Sequence, residues 1–267
     1  MSEFEKLKIV TRYELLKQFR RKRFYGALAI TLLAVILAIA LYKGLNLPGR
    51  IGVTDSPELF AVFVTSMSSI AILGAVFFAG DAIASEFERK TGYILFPNPV
   101  KRNTLVIGKY LACFISTATV LAIAYLISAF ALIGFYRQVP IGILGSLAIA
   151  LMLACSVISM AFLFSSVLKG SMGATIATLL TYMVIFSIIS SSLIYAGYDP
   201  WFLLDHAANA VTATYGISLQ RAFGGFGGRM AGAIKTPDPI LSFLVLLVYA
   251  VVFFLLSIWL TKRREMV

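Results

Sequence analysis

The feature that most constrains this chain is a set of six long apolar runs, each long enough to cross a bilayer. A hydrocarbon core about 30 Å thick is crossed by roughly 20 residues of helix, the form that satisfies its own backbone hydrogen bonds within one segment. The runs are Phe24 to Tyr42, Phe60 to Gly80, Thr104 to Phe135 with Lys109 near its start, Pro140 to Leu168, Met172 to Tyr198 and Ile240 to Leu260. The third to fifth exceed a bare crossing, so they are expected to tilt, kink or protrude. Transmembrane β-strands would alternate apolar and polar residues, and stretches such as AVILAIALY and LVLLVYAVVFFLL do not. The expected fold is therefore an all-α membrane protein with six transmembrane helices in a single domain spanning 1–267.

Composition excludes a water-soluble reading, with 60% hydrophobic and only 13% charged residues. A cleaved leader is the competing reading for the first run, but the Tyr42-Lys43 exit lacks the small residues of a cleavage site. Basic residues set the orientation. If residues 1–23 stay in the cytoplasm, alternation through six crossings places 17 basic residues inside and 6 outside, the bias expected of a protein with both termini cytoplasmic. The net charge of +11 is spread along predicted membrane borders, which fits anionic lipid headgroups rather than nucleic acid. Cys113 and Cys155 both fall in apolar runs and read as small hydrophobes.

Four segments lie outside the runs. Residues Glu3 to Arg23 read as an amphipathic surface helix, with Ile9, Tyr13 and Leu16 on one side and Phe4, Leu7, Leu15 and Phe19 on another. A plain topogenic flank is the alternative. Asp81 to Asn103, a cytoplasmic loop in this topology, is predicted to continue the second helix to Thr91, with a Glu86–Lys90 pair one turn apart and Gly92 as its stop. Tyr93 to Phe96 then form an apolar patch before Pro97-Asn98-Pro99, giving either a docking surface or a patch covered by the chain's own helices or by lipid. Residues 199–239 carry the stripe Leu204, Ala208, Val211, Tyr215, Leu219, Ala222, predicting an external amphipathic or re-entrant helix capped by Asp205 and ended by a glycine cluster. Lys43 to Leu59 reads as a connector.

No constellation for catalysis is present in the sequence. His206 is the single histidine, no HExxH motif accompanies it, and no run carries an aspartate in its interior. No metal-binding or catalytic residues are therefore expected. Serines and threonines cluster in the second, fourth and fifth runs; Ser66, Ser69, Ser187 and Ser191 are the candidates for a mildly polar substrate pathway, against the reading that such residues serve close helix packing. A coupling ion needs charged groups mid-membrane, and the runs lack them. A Walker-type GxxxxGK[ST] is also missing from the chain. Uphill transport would thus draw its energy from another polypeptide.

The stretch GDAIASEFERKTGYILFPNPVKRNTLVIGKYLA, residues 80–112, resembles the loop between the second and third spans of type-2 ATP-binding-cassette (ABC) transporter permeases. The matching positions are Glu86, Thr91-Gly92, Ile94-Leu95, Pro99-Val100, Arg102 and Gly108-Lys109, with the Thr-Gly order and Pro97-Asn98 as departures. The resemblance implies a permease subunit of the inner (plasma) membrane that pairs with a second permease copy and two copies of a separate ABC ATPase. It implies no cofactor on this chain, with ATP and Mg on the ATPase, and export as the usual direction. It also implies that residues 81–92 form a coupling helix, with Glu86, Phe87, Glu88, Arg89, Thr91 and Gly92 as the ATPase-coupling set. A self-contained channel or ion-coupled carrier is the alternative from a different class.

Overall fold

The computed structural model describes residues 2–51, 54–67, 70–88, 101–216 and 236–263. Every regular element among them is helical. Five helices are long and apolar enough to cross a membrane: Lys22–Gly44, Arg102–Tyr136, Gly142–Val167, Ser171–Tyr195 and Pro239–Arg263. They correspond to the first, third, fourth, fifth and sixth apolar runs. The second run holds two shorter helices, α4 (Pro57–Met67) and α5 (Ile70–Ala79), with residues 68 and 69 outside the described residues.

The first helix, α1 (Glu3–Arg20), opens on a capping box in which the Ser2 hydroxyl accepts from the Glu5 amide and the Glu5 carboxylate accepts from the Ser2 amide. It stops earlier than predicted, because Arg21 is extended (φ −77°, ψ 136°) and starts a separate helix, α2 (Lys22–Gly44). The break lets α1 lie across the bundle instead of prolonging the span. Its packing partner is α7 (Arg102–Tyr136). Phe4, Ile9, Tyr13 and Leu16 remain exposed, an apolar stripe left uncovered by the bundle. Gly108 makes the α1–α7 approach possible: a Cβ there would stand 2.6 Å from Val10 Cγ1.

α7 has 35 residues, about 50 Å of helix, so it outruns the hydrocarbon core by several turns. It ends on Arg137, held left-handed at φ 53°. A short helix α3 (Leu47–Ile51), not anticipated in the connector, follows α2. The middle of the bundle is α8 (Gly142–Val167), the most buried of the five long helices. α13 (Pro239–Arg263) packs along it, and α5, α7 and α9 (Ser171–Leu180) also contact it. Between α9 and α10 (Phe186–Tyr195) lies one π-helical turn, Thr181–Ile185, the form of irregularity by which a long helix bends.

The predicted external helix is subdivided into α11 (Leu204–Ala208) and α12 (Ala210–Ala213). Asp205 sits inside the first turn of α11, and Leu203 takes the cap position. Of the stripe, Leu204, Val211 and Tyr215 are buried and Ala208 is half-buried, while the neighbouring Ala207 and Ala210 are buried as well. Leu219 and Ala222 lie outside the described residues. Close packing of this segment on the bundle depends on Gly142, where a Cβ would meet the Thr214 carbonyl oxygen at 2.7 Å.

Hydroxyls inside the bundle are satisfied mainly by helix backbone. Thr65, Ser116, Thr117, Ser128 and Thr178 each donate to the carbonyl four residues back. Ser156 also crosses to the Leu246 carbonyl at 2.7 Å, and Tyr125 and Ser146 bond to each other at 2.8 Å. The last two bonds join different helices.

Candidate functional site

The end of the bundle where α1 lies holds a connected set of charged and polar side chains. α5 ends at Ala79; residues Asp81 to Ile83 turn; and α6 (Ala84–Glu88) follows as a separate five-residue helix. The second helix therefore does not run on unbroken through residue 91 as predicted. The reason is local: Gly80 packs flush against α9, where an added Cβ would stand 2.5 Å from Thr175 Oγ1, and the backbone turns to follow that contact.

Four helices hold this turn. From α8, Ser165 Oγ accepts the backbone N–H groups of Ile83 (3.1 Å) and Ala84 (2.8 Å), so a residue 81 positions away satisfies the opening amides of α6. From α7, Lys109 Nζ donates to Glu86 Oε1 at 2.8 Å and to Glu14 Oε1 of α1 at 2.9 Å. Lys17 of α1 completes the group, 3.4 Å from Glu14 and 3.6 Å from Glu86. At α9, Glu88 Oε2 accepts from the Ser171 amide (3.0 Å) and hydroxyl (2.5 Å), placing a carboxylate at a helix N-terminus, where the backbone dipole favours it.

The charges are arranged for burial. Two cations, Lys17 and Lys109, meet two anions, Glu14 and Glu86, and the side chains of Lys109 and Glu86 are only 9% and 10% exposed. Partners on both sides of Lys109 offset its desolvation. One step away, Asp81 Oδ2 receives Arg21 at 3.2 Å and Arg23 at 2.7 Å, from the hinge between α1 and α2. The last turn of α5 is tied in as well: Gln18 Nε2 and Cys113 Sγ both donate to the Phe78 carbonyl.

Of the residues predicted to meet a partner, Glu86 is buried within this chain, while Glu88 is exposed. The Phe87 side chain, and Arg89, Thr91 and Gly92, lie outside the described residues, as does Lys90, the predicted partner of Glu86. So do Tyr93 to Phe96, the apolar patch with its two readings. Ser66 is half-buried and donates to the Phe63 carbonyl; Ser187 is half-buried, Ser191 exposed, and Ser69 outside the described residues. α4 packs on α2, α7 and α12, whereas α10 packs on the π turn and α11. Sequence reasoning passed over Glu14, Lys17, Asp81, Ser165 and Ser171. A signal was available for Glu14 and Lys17, which lie on the same face as Gln18 at helical spacing and leave the apolar stripe to the other face.

At the opposite end, Asp55 anchors a second cluster. Its carboxylate accepts from Lys43 at 3.0 Å, from Tyr42 at 2.9 Å and from Tyr136, joining the ends of α2 and α7 to the start of α4. Burial works against its ionisation, but these hydrogen bonds hold its carboxyl below the usual range. His206, near Asp199 at 3.7 Å, is buried, and that burial lowers its basicity despite Asp199 and Asp205 nearby. Among the described residues, no group of three or more His, Cys, Asp and Glu side chains is placed to hold a metal ion.

Five bilayer-length apolar helices around a common core, with charged clusters and short helices at their ends, define an integral membrane protein of the multi-spanning helical class. Its sequence from residue 9 to 266 matches the family described as ABC-2 family transporter protein, and the chain belongs to that family. It is 26% identical over 258 residues to the probable ABC transporter permease protein NosY of Stutzerimonas stutzeri, covering 89% of this chain and 92% of that one. To the probable ABC transporter permease protein NosY of Pseudomonas aeruginosa it is 29% identical over 145 residues, 52% of this chain and 53% of that one. The resemblance noted at residues 80–112 thus extends along the chain.

Proposed function

We propose that this chain is the membrane-spanning permease of an ABC exporter. It crosses the inner membrane six times as a single domain with both termini cytoplasmic. It works as a dimer with a second permease copy and is driven by two copies of a separate ATPase that carry ATP and Mg. The remaining crossing is assigned to α4 and α5 together, whose ranges cover most of residues 57–79. The cytoplasmic assignment of the α1 end rests on the basic-residue bias, 17 inside against 6 outside.

The observation that carries this reading is the anchoring of residues 81–88 to α1, α7, α8 and α9 at once. A short helix on a flexible loop would absorb a push from a partner. This one passes it on. Displacing Glu86 pulls Lys109 and, through it, Glu14 on α1; displacing Glu88 pulls the start of α9, above which lies the π turn. Residues 81–103 then serve as the coupling loop, with Glu88, Phe87, Arg89, Thr91 and Gly92 toward the ATPase and Glu86 acting inward as the pin. Ser66, Ser69, Ser187 and Ser191 remain the proposed wall of the substrate path.

The test is reconstitution with the cognate ATPase. Glu86→Ala is expected to lower transport-coupled ATP hydrolysis severalfold while leaving membrane insertion intact. Full stimulation in that variant and in Phe87→Ala would overturn the coupling assignment, and ATP-independent flux by the purified chain in liposomes would favour the channel or carrier reading.

A further inference from the structure

The first turns of α2 pack on α5, with Phe24 stacked on Phe78 at 5.9 Å, but the two helices part on their outer side. Between them runs a groove of about 230 Å³, with Gly26, Ala27, Ile30, Gly74 and Phe77 among its walls and Arg23 at its mouth. Two glycines create it. A Cβ at Gly26 would meet nothing within 4 Å, and one at Gly74 would only touch Ala27 at 3.5 Å and Phe78 at 3.7 Å. Ile30 and Phe77 are 59% and 44% exposed, so the groove opens outward, away from the core.

The lining is one-sided in chemistry. Arg23 is its charged member, and the remaining walls are apolar. Ile30 lies seven residues further along α2, about 10 Å deeper along the helix axis. The groove thus starts at a cation and descends into the span. Arg23 uses Nη1 on Asp81, and its other N–H donors have no partner among the described residues. Arg20 and Lys22 stand exposed on either side of the hinge.

We propose that this groove holds one acyl chain of an anionic phospholipid, with the lipid phosphate on the Arg23 guanidinium. In a bilayer the groove faces hydrocarbon, and its volume falls below the roughly 300 Å³ at which pockets for whole small molecules begin, so it accommodates a segment of one chain. The cation at the mouth selects the headgroup: a guanidinium forks onto phosphate with two donors while Asp81 keeps the third. The bound headgroup and Asp81 then share one side chain, which links the lipid surface to the turn between α5 and α6. The occupied leaflet is the one at the α1 end; only its designation as cytoplasmic rests on the topology proposed above.

The test uses the full chain in nanodiscs containing equal mole fractions of phosphatidylglycerol and phosphatidylcholine. Native mass spectrometry counts the lipids retained on release, and a phosphatidylglycerol carrying a diazirine in its acyl chain maps contacts. The wild type is expected to retain phosphatidylglycerol about fivefold over phosphatidylcholine, the bias of one basic contact at a membrane surface, with labelling in peptides covering 23–30 and 70–77. Gly26→Phe, which fills the groove, is expected to lose that labelling. Arg23→Gln is expected to retain lipid without the preference. Equal retention of the two lipids by the wild type, labelling elsewhere, or undiminished labelling in a monodisperse Gly26→Phe sample overturns the proposal. So does efficient disulfide cross-linking between two Gly26→Cys chains, which would put a second copy in the groove. If Gly26→Phe does not fold, the wild-type labelling map decides. None of these readouts involves ATP hydrolysis, so failure here is separable from failure of the coupling assignment.

Discussion

Lys109 Nζ stands 2.8 Å from Glu86 Oε1, joining the foot of a 35-residue helix to a helix of five residues. Because the same ammonium also holds Glu14 at 2.9 Å, one cation fixes two otherwise separate elements, α1 and α6, on α7. The arrangement is buried enough that its parts are not interchangeable with water.

Removing Lys109 takes away a cation that both Glu14 and Glu86 share, while Lys17 stays within 3.4 Å of Glu14 and 3.6 Å of Glu86. Lys109→Met is expected to destabilise the protein by about 3–5 kcal/mol, the usual consequence of breaking a buried ion pair from one side. Glu86→Gln combined with Lys109→Met should be less damaging than the sum of the two single changes. Thermal unfolding in one detergent, arranged as a double-mutant cycle, measures the coupling; strict additivity would show that the two groups act independently.

Gly108 controls whether α1 can lie on α7. Gly108→Ala brings a methyl within 2.6 Å of Val10 Cγ1 and is expected to cost about 1–3 kcal/mol as overpacking. Val10→Ala in the same chain should recover most of it. Protease susceptibility of residues 2–20 reports α1 docking directly, and failure of the second substitution to restore protection would place the strain elsewhere.

Ser165 is the acceptor for two amides at the start of α6. Ser165→Ala leaves both N–H groups buried without that oxygen, at about 1–3 kcal/mol. The loss should be local, seen as faster hydrogen exchange at Ile83 and Ala84 with α13 unaffected. Exchange rates equal to wild type at those two amides would remove the anchoring role.

At the opposite end, burial holds His206 below its ordinary value, so the folded protein keeps the imidazole neutral where the unfolded chain has begun to protonate it. Stability from this group is complete above the unfolded value of about 6.5 and declines as pH falls through the lower folded value. Asp205, raised by burial, works oppositely, since its contribution is lost as pH rises from the usual carboxylate range through its folded value. Unfolding temperatures between pH 7.5 and 5.5 should therefore fall, and His206→Gln should flatten the slope. An equal slope in that variant would assign the dependence to other groups.

The span helices were legible because their signal is one-dimensional: a run of apolar side chains long enough to cross hydrocarbon is a property of the chain alone. Lys109 illustrates where legibility stopped. Its type and place could be read, and even its motif with Gly108, but its partners come from residues 14 and 86. The sequence suggested a Glu86–Lys90 pair because those residues lie one helical turn apart, and Lys90 lies outside the described residues; what spacing along the chain did not suggest is that Glu86 also meets Lys109 across the bundle.

The class of protein and the helical character of its spans were already written in the chain, since they follow from transfer energies that add residue by residue. How the ends of those spans are joined came from the folded arrangement. The break at Arg21 that lays α1 across α7, the close approaches at Gly80 and Gly108, and the pinning of α6 by Ser165 and Lys109 each depend on residues far apart in sequence. The physical reason is that a buried charge or amide must find a partner within about 3 Å, and only the folded chain determines which partner is near.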